Sequence, residues 1–319
     1  MLEVQEIKAE ELHAEQFIEE QVRRILDIVR GGSAINALSG GVDSSVVTML
    51  GHKALGNKLI TYFIDNGLMR QGELEEVISE FERFGVHVLM IDAKKEFFSA
   101  LKGITNPEKK REAIAQTFYK KVFGKLVMKS GAKYLLQGTN LTDIEETVAG
   151  IKRQHNVFEQ LGIDPQKAFG YKIIEPLIQL RKDGVRKVAK VLGLRSDRIP
   201  FPGPALAARV IGEVTPKRIE LIRKATAVTE LALKDTGAFQ YMAILHRDRV
   251  TGMRDGKRVY GLQIEIRCWD SVDARTGEPT EVPFHTLKKI ASTITAEIPE
   301  VVSVTYNIAS KPPSTIEAI

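Results

Sequence analysis

Cysteine is nearly absent: Cys268 is the only one in 319 residues. A single thiol excludes an internal disulfide framework and any zinc cluster built on cysteines, and it points to the cytosol. Long apolar runs are missing too, since none approaches the roughly 18 residues needed to cross a bilayer. The first residues, MLEVQEIKAEELHAEQF, are acidic and amphipathic and lack the basic and apolar blocks of a secretory signal. There is no Gly-x4-Gly-Lys-Ser/Thr, no Gly-x-Gly-x-x-Gly and no Gly-x-Ser-x-Gly, so the Walker-type, dinucleotide and nucleophile-elbow motifs do not apply. Basic clusters such as Lys109-Lys110-Arg111 and Lys120-Lys121 have acidic neighbours and no aromatic stacking platform. They read as solvated helix faces, which makes nucleic acid an unfavoured partner.

What remains is an ordinary globular composition, 43% hydrophobic and 27% charged, with a net charge of +5. Such a charge suits phosphate-bearing small substrates as well as it suits nucleic acid. The length suggests two domains, each able to bury its own core. Helical spacing of apolar residues runs through 3–30 and ends at Gly31-Gly32. Apolar runs at 33–38, 59–64, 86–91 and 134–138 read as strands, separated by helical patterns at 42–55, 73–84, 94–102 and 107–130. Strands alternating with helices imply a parallel, doubly wound sheet with ligands beyond its carboxyl edge. Ser39–Ser45, Asp65–Gly67 and Gln137–Glu146 fall at that edge. Residues 150–170 follow neither period, and residues 181–194 look helical. Pro200, Pro202, Gly203 and Pro204 break regular structure, so we place the domain division there, at 1–195 and 196–319. The second part reads as α+β: helices at 217–234 and 284–297, and strands at 239–246, 249–254, 258–267 and 300–308. An Asp255-Gly256 hairpin signal joins the second and third of these strands.

The main chemical signal is SGGVDSS (39–45), between a strand and a helix. Gly40 and Gly41 let backbone N–H groups turn toward a ligand, and the following helix adds its unpaired N–H groups and positive dipole end. Ser39, Ser44 and Ser45 offer hydroxyl donors. Asp43 fits either as a helix cap or as a holder of Mg²⁺.

In this setting the loop resembles the pyrophosphate-binding loop of the N-type ATP pyrophosphatases, the PP-loop superfamily, which cleave ATP between its α- and β-phosphates. FPGPALAARVIGEVTPKR (201–218), KPPSTIE (311–317), YFIDNGLMR (62–70), ALKGITNPEKKREAI (100–114), LLQGTNLTDIEET (135–147) and IIEPL (173–177) narrow the resemblance. They are similar, in the same order, to the ATP-pyrophosphatase and dimerisation parts of the GMP synthetase family. The resemblance implies an adenine nucleotide alpha hydrolase-like domain followed by a smaller α+β dimerisation and substrate domain. It implies amination of xanthosine 5'-monophosphate (XMP) to GMP with ATP and Mg²⁺, in a cytoplasmic homodimer. Ammonia would come from a separate glutamine amidotransferase subunit.

Carried over residue by residue, the resemblance assigns ATP and pyrophosphate binding to Ser39, Gly40, Gly41, Val42, Asp43, Ser44, Ser45, Ile64, Gly138 and Thr139. Asp43, Lys152 and His155 are the catalytic candidates; Asp43, Asp143 and Glu146 are the metal candidates. Arg198, Arg209, Lys311 and Glu317 are the substrate candidates. Departures from the family pattern lie on the substrate side. The 152–156 segment reads Lys-Arg-Gln-His-Asn instead of Lys-Ser-His-His-Asn, Ala205 and Ala207 stand where glycine is usual, and the tail ends Glu317-Ala318-Ile319. Two alternatives therefore stay open: a PP-loop relative that adenylates a different acceptor, and a nucleotide-binding regulator without turnover.

Overall fold

Short apolar runs and amphipathic stretches alternate along the first part of the chain, and in the computed structural model they become strands and crossover helices. The structure describes residues 4–148, 171–195, 199, 201–271 and 276–318. In chain order the elements are α1 (Ala14–Val29), β1 (Ala34–Ala37), α2 (Val42–Leu55), β2 (Leu59–Asp65), α3 (Glu73–Arg83), β3 (Val88–Asp92), α4 (Lys94–Leu101), α5 (Pro107–Gln116), α6 (Gly124–Ser130), β4 (Tyr134–Leu136), α7 (Leu141–Val148) and β5 (Lys172–Ile174). There follow α8 (Lys182–Val191), α9 (Pro216–Leu233), β6 (Gln240–Arg254), β7 (Lys257–Asp270), β8 (Glu278–Pro279), α10 (Phe284–Glu297) and β9 (Val301–Tyr306). No helix among the described residues is long and apolar enough to cross a membrane.

The chain divides into two compact units that interleave in sequence. The first is drawn from Met1–Asp65, Leu74–Ala93 and Ala115–Arg198; the second from Asn66–Glu73, Lys94–Ile114 and Ile199–Ile319. In the first unit five parallel strands lie in the order β3-β2-β1-β4-β5. Parallel neighbours need crossovers too long for a hairpin, and the helices supply them. Because the order runs outward from β1 in both directions, the carboxyl ends of β1 and β4 face a topological switch point. The core is aliphatic and aromatic, with Ile25, Ile35, Leu50 and Phe63 almost wholly buried. Helices α1, α2 and α8 pack on one another, and α2 also packs on β1, β2 and β4.

Three departures from the sequence reading have local causes. Residues 4–13 do not extend α1 toward the N-terminus, because they are held elsewhere. Ile7 N donates to Gln179 O at 3.0 Å, Arg181 pairs with Glu6 at 2.7 Å, and Lys187 Nζ donates to Ala9 O at 3.0 Å. The helix expected over 107–130 loosens into a π-helical turn at Thr117–Phe123, where the rings of Phe118 and Phe123 stack with centroids 5.5 Å apart. The wider turn suits that five-residue spacing. Strand β5 has no counterpart in the sequence reading; three residues are too few to show a period.

In the second unit β6 and β7 form a long antiparallel pair, β9 lies parallel to β7, and β8 adds a short edge. Asp255 and Gly256 both have positive φ, 49° and 72°, as a two-residue hairpin turn requires. The strands expected at 239–246 and 249–254 are one strand. The register shifts between Leu245 and Arg249, so a bulge and not a loop separates the two stretches. Helix α9 starts with Pro216 behind Thr215, whose side chain accepts from Arg218 N at 3.2 Å. The C-terminal tail is tied in twice. Lys311 and Gly277 exchange backbone hydrogen bonds of 2.8 and 3.2 Å, and Ile316 packs with Met242, Ile244 and Trp269.

Glu265 on β7 accepts from His246 Nε2 at 2.8 Å, Arg267 Nε at 2.5 Å and Asn307 Nδ2 at 3.1 Å. Burial pushes its carboxyl upward, but the hydrogen bonds from His246, Arg267 and Asn307 outweigh burial and bring its pKa down to about 2 from 4.5. A lowered carboxylate pKa stabilises the fold above the unfolded value, and that contribution is lost as pH falls toward the folded value. Urea unfolding of wild type and Glu265→Gln is expected to differ by on the order of 3 kcal/mol at pH 7, and by about 2 kcal/mol less at pH 3.

Candidate active site

At the end of β1 the chain is pinned to its neighbour, with Leu38 N donating to Tyr62 O at 2.8 Å. It then turns through Ser39–Gly41, with Gly40 at φ 79°, a left-handed conformation that disfavours any side chain. Helix α2 begins immediately, with Gly41 as its N-cap, so no cap side chain occupies the first-turn N–H groups. Ser44 organises the turn. Its hydroxyl accepts from Ser39 N at 3.2 Å, lies 3.0 Å from Ser39 Oγ and donates to Gly41 O at 3.0 Å. Ser39 and Gly41 are exposed, while Val42, Asp43, Ser44 and Ser45 are half-buried.

The far wall of this turn is Gly138, just beyond β4. A Cβ there would lie 3.2 Å from the Asp43 carbonyl carbon and 3.3 Å from the Asp43 Cβ, so only glycine lets the two strand ends close to this distance. Thr139, Asn140 and Asp143 follow, all buried. Asn140 N donates to Asp143 Oδ2 at 3.3 Å and Asp143 N to Asn140 Oδ1 at 3.1 Å, a reciprocal cap at the start of α7. One Asp143 oxygen is thus engaged by the backbone. Asn140 Nδ2 and Gln137 Oε1 are buried without a hydrogen-bond partner among the described residues. Ile64 is buried at the end of β2. Glu175, next after β5, is absent from the candidates read in the sequence. Burial pushes its carboxyl above the ordinary range, with the Thr139 side chain and Arg24 pulling it back.

A second polar cluster lies wholly within the second unit. Arg209 has no exposed surface, and its guanidinium stands 3.7 Å from Glu230 Oε1 and 3.8 Å from Glu317 Oε1. It also lies 4.8 Å from the centre of the Phe201 ring, and Arg70 lies 4.1 Å from the same centre. Arg70 pairs with Glu230 at 3.1 Å and with Glu73 at 3.5 Å. Glu317 Oε1 accepts from Gln240 Nε2 at 2.7 Å. None of the three Arg209 nitrogens has a hydrogen-bond partner among the described residues. Burial lowers the Arg209 pKa and raises that of Glu317, each opposed by the charge of the other. A buried guanidinium without close acceptors keeps its planar fork of donors available to an anionic group.

The whole chain has relatives of one kind, all of them the same subunit of glutamine-hydrolyzing GMP synthase. The one from Archaeoglobus fulgidus is 46% identical over 309 residues, covering 96% of this chain and 99% of the relative. That from Pyrococcus horikoshii is 45% identical over 308 residues, covering 95% and 98%. That from Methanocaldococcus jannaschii is 43% identical over 310 residues, covering 95% and 98%. The family model described as GMP synthase C terminal domain matches residues 228–318. The chain belongs to this family of GMP synthase subunits.

Within that family frame, the structure brings Ser39–Ser45, Gly138 and Thr139 together at the ends of β1 and β4 in the first unit. It brings Arg209 and Glu317 together in the second. Lys311 sits six residues before Glu317 on the same tail, half-buried. Lys152, His155 and Arg198 lie outside the described residues, as does the side chain of Glu146 in α7. Arg70, Glu230 and Phe201 are not among the residues the sequence singles out, although Arg70 ends YFIDNGLMR and Phe201 opens FPGPALAAR; only packing reveals that they surround Arg209.

The glycine-to-alanine departure at Ala205 has a visible cost. Ala205 has φ 53°, with its N–H donating to Pro202 O at 2.8 Å, in the turn that leads to Arg209. For a residue with a Cβ that conformation costs roughly 1–2 kcal/mol, partly offset by the entropy that glycine loses on folding. Ala205→Gly is expected to gain about 0.5–1 kcal/mol in urea unfolding, and Ala205→Val to lose at least about 1 kcal/mol.

Proposed function

We propose that the chain is the synthetase subunit that aminates XMP to GMP with the cleavage of ATP. Purine O2 attacks the α-phosphorus of ATP and the bond to the bridging oxygen breaks, releasing pyrophosphate. Ammonia then adds at C2, AMP departs, and the surplus proton passes to solvent. One observation carries this reading: an uncapped helix N-terminus at the switch point, walled by Gly138 and set by Ser39 and Ser44. Its N–H groups and the serine hydroxyls hold the β- and γ-phosphates and stabilise the charge that develops on leaving pyrophosphate. Ile64, Gly138 and Thr139 take the nucleoside side.

Magnesium fits this arrangement as a companion of the phosphates. Among the described residues no group of three or more His, Cys, Asp or Glu side chains could hold a metal by itself. Mg²⁺ characteristically needs only one or two carboxylates plus substrate phosphates. Asp43 is the nearest to the cradle, with Asp143 and Glu146 as further carboxylates, and the ion would neutralise phosphate charge there. Arg209 and Lys311 suit the acceptor's monophosphate, and Glu317 can accept purine N–H groups. Ammonia comes from a separate glutamine amidotransferase subunit, and the synthetase acts as a homodimer in the cytoplasm.

With ATP, Mg²⁺, XMP and ammonium, the purified protein is expected to release AMP and pyrophosphate in step with GMP. ADP as the sole nucleotide product would sink the reading, and AMP release only with a different acceptor would reassign the substrate. Gly138→Val, which forces a side chain against Asp43, is expected to lower kcat/KM for ATP by roughly a hundredfold or more.

A further inference from the structure

Behind the phosphate cradle, three polar side chains are buried where the central strands meet α2. Asn36 is on β1, Thr48 on α2 and Thr61 on β2, and each is 1% exposed or less. They form one directed chain of hydrogen bonds. Thr61 Oγ1 donates to Asn36 Oδ1 at 2.8 Å, and Asn36 Nδ2 donates to Thr48 Oγ1 at 2.6 Å. Thr48 Oγ1 donates onward to Ser44 O at 2.7 Å. The chain therefore ends on the backbone of the residue whose hydroxyl holds Ser39 N and Gly41 O.

We propose that Asn36, Thr48 and Thr61 are positioning residues for the phosphate cradle, acting through the Ser44 carbonyl. A threonine has one hydroxyl proton. With the Asn36 amide donating to Thr48, that proton is directed to Ser44 O, four residues back along α2. Such a back-bond tilts the carbonyl off the helix axis and bends the first turn. In this helix the first turn carries the N–H groups offered to phosphate. Thr61 fixes the amide orientation of Asn36, and Asn36 spans β1 to reach both partners, so the turn is registered against two strands at once. Packing alone does not require these groups, because apolar side chains of similar shape would fill the space without any hydrogen bond to satisfy. The inference rests on the reading that the cradle binds the phosphates of ATP.

The test compares wild type with Thr48→Val, Thr48→Ser and the triple variant Asn36→Leu/Thr48→Val/Thr61→Val. The triple removes all the polar groups together and leaves no buried donor or acceptor orphaned by its partner's loss. Isothermal titration with ATP and with pyrophosphate, steady-state KM values for ATP and XMP, and thermal unfolding are measured on each. In Thr48→Val and in the triple, ATP affinity is expected to fall between about tenfold and a hundredfold while KM for XMP is unchanged. Thr48→Ser, which keeps the hydroxyl, is expected to restore ATP affinity to within about twofold. Wild-type ATP affinity in Thr48→Val, or in a triple variant that unfolds at the wild-type temperature, overturns the proposal. So does an equal rise in both KM values that Thr48→Ser fails to rescue. Absence of ATP and pyrophosphate binding in wild type overturns instead the reading on which the proposal rests.

Discussion

A helix that starts without a cap is the constraint around which the first unit is arranged. The opening N–H groups of α2 cannot be satisfied inside the helix, and Gly41 brings no side chain to them. Left facing apolar protein they would be a liability; at the carboxyl edge of a parallel sheet they face outward. The strand order makes that edge concave at one place, between β1 and β4, where the chain changes direction across the sheet. Gly138 then lets the segment after β4 approach Asp43 closely enough to form a wall. A phosphate group meets oriented dipoles there, and little reorganisation is needed to receive it.

The second unit poses the complementary problem, a cation where water cannot reach. Arg209 is fully buried, yet its nearest carboxylate oxygens stand at 3.7 and 3.8 Å, beyond ordinary hydrogen-bond length. Glu230 is shared with Arg70, and Glu317 is drawn toward Gln240 at 2.7 Å, so neither acid closes on Arg209. A guanidinium held this way is compensated in charge but not in hydrogen bonds, and the remaining capacity is directional. The tail that brings Glu317 is itself fixed by apolar packing at Ile316 and by Arg267, which donates to Thr315 O at 2.5 Å. Ordinary core formation thus delivers the acidic partner to its place.

Legibility in the sequence follows the strength of each signal. Strands β1 to β4 and the phosphate turn are readable because apolar runs end in glycine-rich or polar segments at regular intervals. The hairpin at Asp255-Gly256 is readable because the two-residue turn needs positive φ twice. What escapes detection depends on partners far along the chain. Residues 4–13 follow a helical period but are held by Gln179, Arg181 and Lys187. The bulge in β6 looks like a loop until its pairing with β7 is known. Asn36 and Thr48 interrupt apolar elements and look like noise until their contact is seen. Arg70 and Glu230 lie 160 positions apart in sequence. The motifs name the chemistry of the turn, whereas the polar shell around Arg209 and the chain of bonds behind Ser44 are properties of packing.

These hidden features share a thermodynamic character. A buried polar group gains little net stability from its hydrogen bonds and loses much if one is left unmade, so apolar alternatives are seldom worse for folding. Where several such groups converge on a single backbone carbonyl or a single guanidinium, stability is a poor account of their presence. Orientation is a better one, because hydrogen bonds fix direction where apolar contacts fix only distance. In the first unit that direction is imposed on the Ser44 carbonyl and hence on the opening turn of α2. In the second it is withheld from Arg209, whose donors stay uncommitted. One arrangement fixes the donors in place before a ligand arrives, and the other leaves them unsatisfied until a ligand completes them. Both place the structural cost in the protein and the compensating gain in the bound state.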